Sequence, residues 1–220
     1  MKRFNELRSD ADILALIEAS NRVLAAMNYT DHGRRHVTLV ARTAAKILGD
    51  LGFDEPTQDL TAIAALLHDI GNVAGRNSHA AAGATMSYAL LTARGFSVAD
   101  AADVAAAIGN HDESEHGVPV NVHGAALIIA DKADIHRSRV RTSRADDFDV
   151  HDRVNHAVTT AQLKTDAAAK HIVLELTADL SGATLAEILE IFEARFAMSA
   201  EAARFLGCSY AVRVNGEQVA

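Results

Sequence analysis

The 220-residue chain has a formal net charge of -8, and 49% of its residues are apolar, many of them alanines that favour helix. The acidic charge argues against non-specific nucleic-acid binding, and a single cysteine excludes an intramolecular disulfide. The sequence shows neither the apolar core of a signal peptide nor an apolar stretch of membrane-spanning length. We therefore expect a cytoplasmic protein with no nucleic-acid or membrane partner.

The first 150 residues have apolar positions at helical spacing, which predicts an all-α body. We expect Asp10, Thr30 or Asp31, and Ser97 to cap helix starts, and Gly71 and Gly95 to end helices. The predicted helices cover about residues 10–27, 30–48, 56–71, 77–94, 97–108 and 122–136.

The character of the sequence changes after about residue 150. "TTAQLK", "HIVLELTAD" and "SYAVRV" have the β-branched, alternating pattern of strands, and 184–206 has the pattern of a long amphipathic helix. We predict a mainly α protein with two domains: a helical domain over 1–150 and an α+β appendage over 151–220, with antiparallel strands and one long helix. Because a small open sheet exposes its edges, a homodimer is possible.

Histidines and aspartates stand at almost every predicted helix end. His32 and His36 are four residues apart and would share one helix face, and His68 and Asp69 are adjacent. Further along come His79, His111 with Asp112, and Asp131 with Asp134 one turn later. Each feature alone is as well explained by structural hydrogen bonds, but an aspartate after the apolar run "ALIIA" is rare unless it is paired. Together, His36, His68, Asp69 and Asp131 favour a metal site, and mixed imidazole and carboxylate ligands suit transition metals better than magnesium.

The motifs "RHVTLVA", "ALLHDIGN" and "ALIIADKAD", over roughly residues 28–137, resemble the HD-domain superfamily of metal-dependent phosphohydrolases. The resemblance implies an all-α helical bundle in which His36, His68, Asp69 and Asp131 bind a first metal ion. It also suggests that His32, His79 and His111 contribute to a binuclear site bridged by Asp69. One or two ions of Mn, Fe, Zn, Ni or Co are expected, with Mg possible.

The sequence departs from the cyclic-dinucleotide phosphodiesterase branch of that superfamily. Many relatives have lysine after "HDIG", where this chain has Asn72. Asn110, His111 and Asp112 replace paired histidines followed by glutamate, and the Gly-Tyr-Pro signature is absent. Hydrolysis of cyclic di-GMP is therefore disfavoured, whereas hydrolysis of other phosphoesters is not.

The resulting hypothesis is hydrolysis of a phosphomonoester or phosphodiester, such as a nucleotide or small phosphate ester, by a metal-activated water. Asp69 is a candidate catalytic residue, and any of His79, His111 and Lys132 could neutralise or protonate the leaving oxygen. The alternative is a regulatory protein that binds metal or nucleotide with little turnover. Arginine forks suit phosphate, although the same residues could simply be solvated at a helix end. The candidate arginines are Arg34, Arg35, Arg137, Arg139, Arg141 and Arg144.

Overall fold

The computed structural model describes residues 1–142 and 147–220, so that Arg144 lies outside the described residues. Helices dominate the first part of the chain, and short 3₁₀ segments connect some of them. The helices are α1 (Lys2–Leu7), α2 (Ala11–Ala26), α3 (Arg34–Asp50), α4 (Glu55–Leu67), α5 (His79–Ala93), α6 (Val98–Gly109) and α7 (Val122–Lys132). The 3₁₀ segments are Ile70–Ala74, Glu113–Glu115 and Arg137–Arg139.

The sequence patterns predict α2, α5 and α6 to within about two residues, and local capping fixes the starts of α2 and α6. The Asp10 carboxylate accepts the backbone N–H groups at the start of α2, and the Ser97 hydroxyl does the same for α6. Helix α1 has no such signal in its own sequence. Its backbone N–H groups at Arg3 and Phe4 instead donate to the Asp59 carboxylate of α4, a contact across more than 50 residues.

Three predicted helix boundaries are wrong. Helix α3 begins at Arg34 with Gly33 as its N-cap, so His32 lies before the helix and does not share a helix face with His36. Helix α4 ends at Leu67, and Gly71 lies within the following 3₁₀ segment. A Cβ at Gly71 would lie 2.0 Å from the His79 carbonyl oxygen, so this glycine permits close backbone packing instead of ending a helix. Helix α7 ends at Lys132, well before the expected 136.

The last part of the described chain forms a small sheet with two further helices. The helices are α8 (Val150–Ala157) and α9 (Leu185–Phe205), and the strands, in sheet order, are β1 (Val158–Asp166), β2 (His171–Ala178), β3 (Ser209–Val214) and β4 (Glu217–Gln218). The pairs β1–β2 and β3–β4 are antiparallel, but β2–β3 is parallel. The predicted antiparallel arrangement is therefore wrong for β2–β3, because α9 carries the chain back to begin β3 in the direction of β2. The all-α description applies only to the bundle.

Helix α9 joins the sheet to the bundle. Its first half places Ile188, Phe192 and Phe196 in an apolar cluster with the sheet. Its second half places Met198 and Ala202 in the core of the bundle. Helix α7 of the bundle packs against α9. The division into 1–150 and 151–220 stays a prediction, but the two parts share buried contacts along this helix. Within the described ranges, no helix has the length and apolarity needed to cross a membrane.

Candidate metal centre

The ends of several bundle helices bring buried imidazoles and carboxylates to one point. His36 lies in the first turn of α3, His68 caps the C-terminus of α4, and Asp69 follows it directly. His79 is the first residue of α5, and Asp131 lies in the last turn of α7. His111 follows α6 and is buried. The apolar faces of these helices fix the core and so hold their polar ends together.

The atoms at this point are close enough to share an ion. The Nε2 atom of His36 lies 3.3 Å from Asp131 Oδ1 and 3.3 Å from His68 Nε2, and His68 Nε2 lies 3.2 Å from Asp69 Oδ2. The cluster contains three groups of three residues, and within each group the potential ligand atoms all lie within 4.8 Å of one another. They are His36, His68 and Asp69; His68, His111 and Asp131; and Asp69, His79 and His111.

The other ring nitrogen, Nδ1, of each of these histidines faces an oxygen atom. This pattern assigns the proton of a neutral ring to Nδ1 and leaves the Nε2 lone pair for the cluster. The acceptors are Asp134 for His36 (2.8 Å) and backbone carbonyls for the others: Thr30 for His32 (2.7 Å), Ala65 for His68 (2.7 Å), Arg76 for His79 (3.0 Å) and Ile108 for His111 (2.7 Å). The Glu115 carboxylate also lies 3.0 Å from His79 Nδ1.

The donor set fits a bound cation. Asp69 Oδ2 is buried and has no hydrogen-bond partner among the described residues, although it lies near two imidazole Nε2 atoms. A buried carboxylate oxygen without a partner is costly, and a metal ion would satisfy it. Nitrogen and oxygen donors in this mixture suit divalent transition metals.

The charges of the cluster also favour a bound cation, because two carboxylates, Asp69 and Asp131, lie beside His68. Burial lowers the pKa of His68, but Asp69 and Asp131 outweigh that effect and raise it to about 10. Burial and the nearby positive charge of His68 lower the pKa of His111 to about 3. In the metal-free chain, a proton on His68 thus supplies one positive charge against two carboxylates, and a divalent ion would supply two.

A second layer of hydrogen bonds orients these groups. The Asp134 carboxylate accepts from His36 Nδ1 and, at 2.8 and 2.9 Å, from both Nη groups of Arg35. The Asn72 amide donates to Asp69 Oδ1 at 2.9 Å and to the Asp69 carbonyl at 3.0 Å. The Lys132 ammonium lies 2.7 Å from Asp131 Oδ2. Such contacts fix both the direction and the charge of the inner groups.

The model of the HD domain family matches residues 33–154, which is more than half of the chain. This chain belongs to the HD domain family. Among solved structures it is similar to a protein from an uncultured Thermotogales bacterium described as a predicted HD superfamily hydrolase, at 26% identity. That match covers 57% of this chain and 67% of the other, with a TM-score of 0.45. No curated protein matches.

The family membership confirms the resemblance seen in the sequence and the mainly α fold expected from it. HD domains typically bind divalent metal ions, and the described residues of this HD domain include groups that could hold one. All seven candidate ligands predicted from the sequence meet at this cluster or its border. His32 lies at the border: its ring centroid is 5.3 Å from that of His36, and it reaches this position from the loop before α3.

A cavity of about 350 Å³ adjoins the cluster of the HD domain. His32 and Arg76 contribute to both: Arg76 Nη1 lies 3.2 Å from His79 Nε2, and Arg76 Nη2 donates to Asp112 at 2.6 Å. Other walls come from the α2–α3 loop, from α8 and from α9. The residues that line it include Tyr29, Arg139, Asp149, Asp152, Phe192 and Arg195.

The arginines predicted to bind substrate are placed differently from one another. Arg139 is buried and lines this cavity, whereas Arg35 is paired with Asp134. Arg141 donates to the Tyr29 and Thr30 carbonyls of the α2–α3 loop and to the Asn21 side chain of α2. Arg34 and Arg137 are exposed and do not line the cavity. Of the described candidates, only Arg139 thus stands where it could meet a ligand beside the cluster.

Sequence reasoning missed several charged residues at the site. Arg76 lies only seven residues after Asp69, in "GRNSH", and its proximity to His79 could have suggested a role. Glu113 pairs with Lys132 at 2.6 Å and with Arg195 at 3.1 Å. Arg195 lies on α9, more than 50 residues beyond the last motif, and no local pattern marks it.

Proposed function

We propose that this HD-domain chain is a metal-dependent phosphohydrolase that acts on a phosphomonoester or phosphodiester. His36, His68, Asp69 and Asp131 would hold one divalent ion, and His79 and His111 would hold a second together with Asp69. The observation that carries the proposal is the common orientation of these imidazoles, each with Nδ1 facing an oxygen. The Nε2 atoms of His36, His68 and His79 lie 3.3, 3.2 and 3.6 Å from carboxylate oxygens of Asp131 or Asp69, and His111 lies in the same cluster. His32 lies beside His36 at the border of the cluster and belongs to none of the three candidate ligand groups.

The surrounding residues suit a phosphate ester. When bound, a divalent metal makes a water molecule acidic enough to yield hydroxide near neutral pH. Arg76 presents a guanidinium beside His79 at the edge of the cavity, and guanidinium forks pair well with phosphate oxygens. Phosphoryl transfer needs mainly positioning and charge neutralisation, which a cationic cavity wall beside the cluster can provide.

Among the candidate acids, we assign Lys132 to charge neutralisation. Its ammonium is buried, and it contacts carboxylates of Asp131 and Glu113. Although burial lowers the pKa of Lys132, those carboxylates outweigh the effect and raise it, so the group keeps its proton near neutral pH. Burial lowers the pKa of His111 to about 3, so that ring is unprotonated near neutral pH, and His79 is the candidate to protonate the leaving oxygen where its Nε2 does not hold a second ion.

The proposal is tested by loading the purified chain with Mn, Fe, Zn, Ni, Co or Mg and screening phosphate esters and nucleotides for phosphate release. Asp69→Ala removes the carboxylate shared by two of the candidate ligand groups, and we expect it to abolish turnover. Asp103→Asn is the matched control, because Asp103 is exposed on α6 and lies outside the cluster.

Two outcomes would contradict the proposal. Turnover that survives Asp69→Ala would show that this cluster is not the reaction centre. Tight nucleotide binding without product under every metal would favour the alternative, a regulatory protein. Metal analysis of the same samples separates a failure of the site from a failure of the reaction, since a chain that binds no ion has no such centre.

A further inference from the structure

We infer that Arg139 and Arg195 form an anion subsite in the cavity beside the metal cluster, so that the substrate carries a second phosphate group next to the reacting one. This inference rests on the proposed function and narrows its substrate class to diphosphates. It also makes the C-terminal helix α9, which lies beyond the matched HD domain, a part of the substrate site.

Arg139 is the first observation that points to an anion. Its residue is only 3% exposed, and it lines the cavity. Nε donates to the Asp31 carbonyl and Nη1 to the Asp134 carbonyl, but Nη2 is buried with no hydrogen-bond partner among the described residues. Arg139 Nε also lies 3.8 Å from Asp134 Oδ2, so the charge already has one carboxylate nearby. A buried donor without a hydrogen bond is still unfavourable, and an anionic oxygen would satisfy Nη2.

Arg195 is the second observation, and it comes from a separate element. Its Nε donates to Glu113 Oε1 at 3.1 Å, and its guanidinium carbon lies 5.5 Å from the ring centroid of Phe192, one turn earlier in α9. In the described chain, no hydrogen bond involves either Nη group, so both remain available to a ligand. Arg139 and Arg195 line the same cavity, so a single ligand there could meet both guanidinium groups.

The position of the remaining charges indicates the direction in which a ligand would lie. Arg76 links the cavity to the cluster through its contact with His79. In the described chain, neither Nη2 of Arg139 nor the Nη groups of Arg195 form a hydrogen bond with a candidate metal ligand. Asp149 and Asp152 also line the cavity. They lie at the start of α8, where Asp149 Oδ1 accepts the Asp152 backbone N–H. These two carboxylates would repel an anion and leave it the arginine side of the cavity.

A ligand with two linked phosphates fits this arrangement better than a monophosphate. The reacting phosphate would lie at the cluster beside Arg76, and the second would lie against Arg139 and Arg195. Like charges that face one cavity repel in the free protein, and a polyanion between them relieves that repulsion. Binding of the second phosphate should therefore depend on α9, and binding of the first should not.

The test compares inorganic pyrophosphate with inorganic phosphate by isothermal titration calorimetry of the full metal-loaded chain, with metal content measured before and after each titration. We expect Arg195→Gln to raise the dissociation constant for pyrophosphate by about tenfold to a hundredfold, the scale of a lost charge-assisted hydrogen bond. The dissociation constant for phosphate should change less than about threefold. Arg195→Lys, which keeps the charge, should recover part of the loss.

Arg204→Gln is the matched control, because Arg204 is an exposed arginine of the same helix and does not line the cavity. Arg139→Lys tests the other half of the subsite and should also weaken pyrophosphate selectively. Equal weakening of both probes by Arg195→Gln, or no weakening of either, would overturn the inference. If the selective loss occurs but no phosphate ester is hydrolysed with any metal, the anion subsite stands and the proposed hydrolase activity fails.

Discussion

Asp134→Asn is the sharpest test of the second layer of hydrogen bonds around the candidate metal ligands. Asp134 is buried, and its carboxylate accepts from His36 Nδ1 at 2.8 Å and from Arg35 at 2.8 and 2.9 Å. Asparagine keeps the shape but has one acceptor oxygen in place of two and no charge. One donor therefore loses its partner, and His36 loses the anion that strengthens its Nε2 as a ligand.

We expect this substitution to weaken metal binding by about tenfold to a hundredfold, which corresponds to roughly 1.4–2.7 kcal/mol. The fold should survive, because the Arg35 side chain is 39% exposed and can turn to water when its partner changes. The buried Arg139 guanidinium, 3.8 Å from Asp134 Oδ2, keeps its hydrogen bonds to the Asp31 and Asp134 carbonyls. A partly exposed pair contributes far less to stability than a fully buried one.

The assay is competition between the chain and a chelator of known affinity, with circular dichroism to verify that each variant is folded. Arg35→Gln is the control, since it breaks the same pair from the other side but leaves the bond between His36 and Asp134 intact. We expect it to change metal affinity less than about threefold. If the Asp134→Asn variant binds metal as tightly as the parent chain does, the role assigned to the hydrogen bond between His36 and Asp134 is wrong.

Two further predictions concern stability. Gly71→Ala would place a Cβ 2.0 Å from the His79 carbonyl oxygen, so it should cost at least about 3 kcal/mol of stability and lower the Tm by roughly 6–12 °C. Gly182→Ala is the control, because the nearest atom to its Cβ would lie 3.7 Å away and the Tm should change little. Equal Tm values for the two variants would contradict this packing. Burial lowers the pKa of His123, whose Nδ1–H faces the Thr61 hydroxyl at 2.7 Å. The unfolded chain then binds more protons below pH 6.5, so the stability that neutral His123 contributes at higher pH is lost on acidification. Urea unfolding between pH 5.5 and 7.5 should show a smaller loss for His123→Asn, and parallel curves would refute this.

The helices that the sequence predicts well are those whose ends depend on their own residues. Thr184 and Glu187 form a reciprocal capping box at the start of α9, and such local bonds are visible as a pattern. The start of α3 is different, because the preceding loop is held from far away. Asp31 N–H donates to the Arg139 carbonyl, and the Arg141 side chain donates to the Tyr29 carbonyl. Sequence patterns cannot reveal bonds across more than 100 residues, so the sequence predicts a start of α3 that is several residues too early.

The same distinction applies to the candidate site. The motifs led to the histidines and aspartates of the cluster because each stands at the end of an apolar run, where a polar group needs a partner. Arg195 lies inside an ordinary amphipathic helix, and its sequence neighbours give no reason to separate it from Arg204. Only the packing of α9 against the bundle brings Arg195 to Glu113 and the cavity.

Asn72 acquires a specific role from these contacts. Many relatives that the sequence resembles have lysine at this position, and an ammonium here would stand beside Asp69 as a further buried cation. The Asn72 amide instead gives Asp69 Oδ1 a neutral donor at 2.9 Å, while Oδ2 remains without a hydrogen bond. Positive charge near the cluster comes from Lys132, which forms an ion pair with Asp131, and from Arg76, which lies beside His79. A neutral donor at position 72 thus orients Asp69 without adding a charge beside it, and in the proposed metal centre that carboxylate would keep its full charge for the ion.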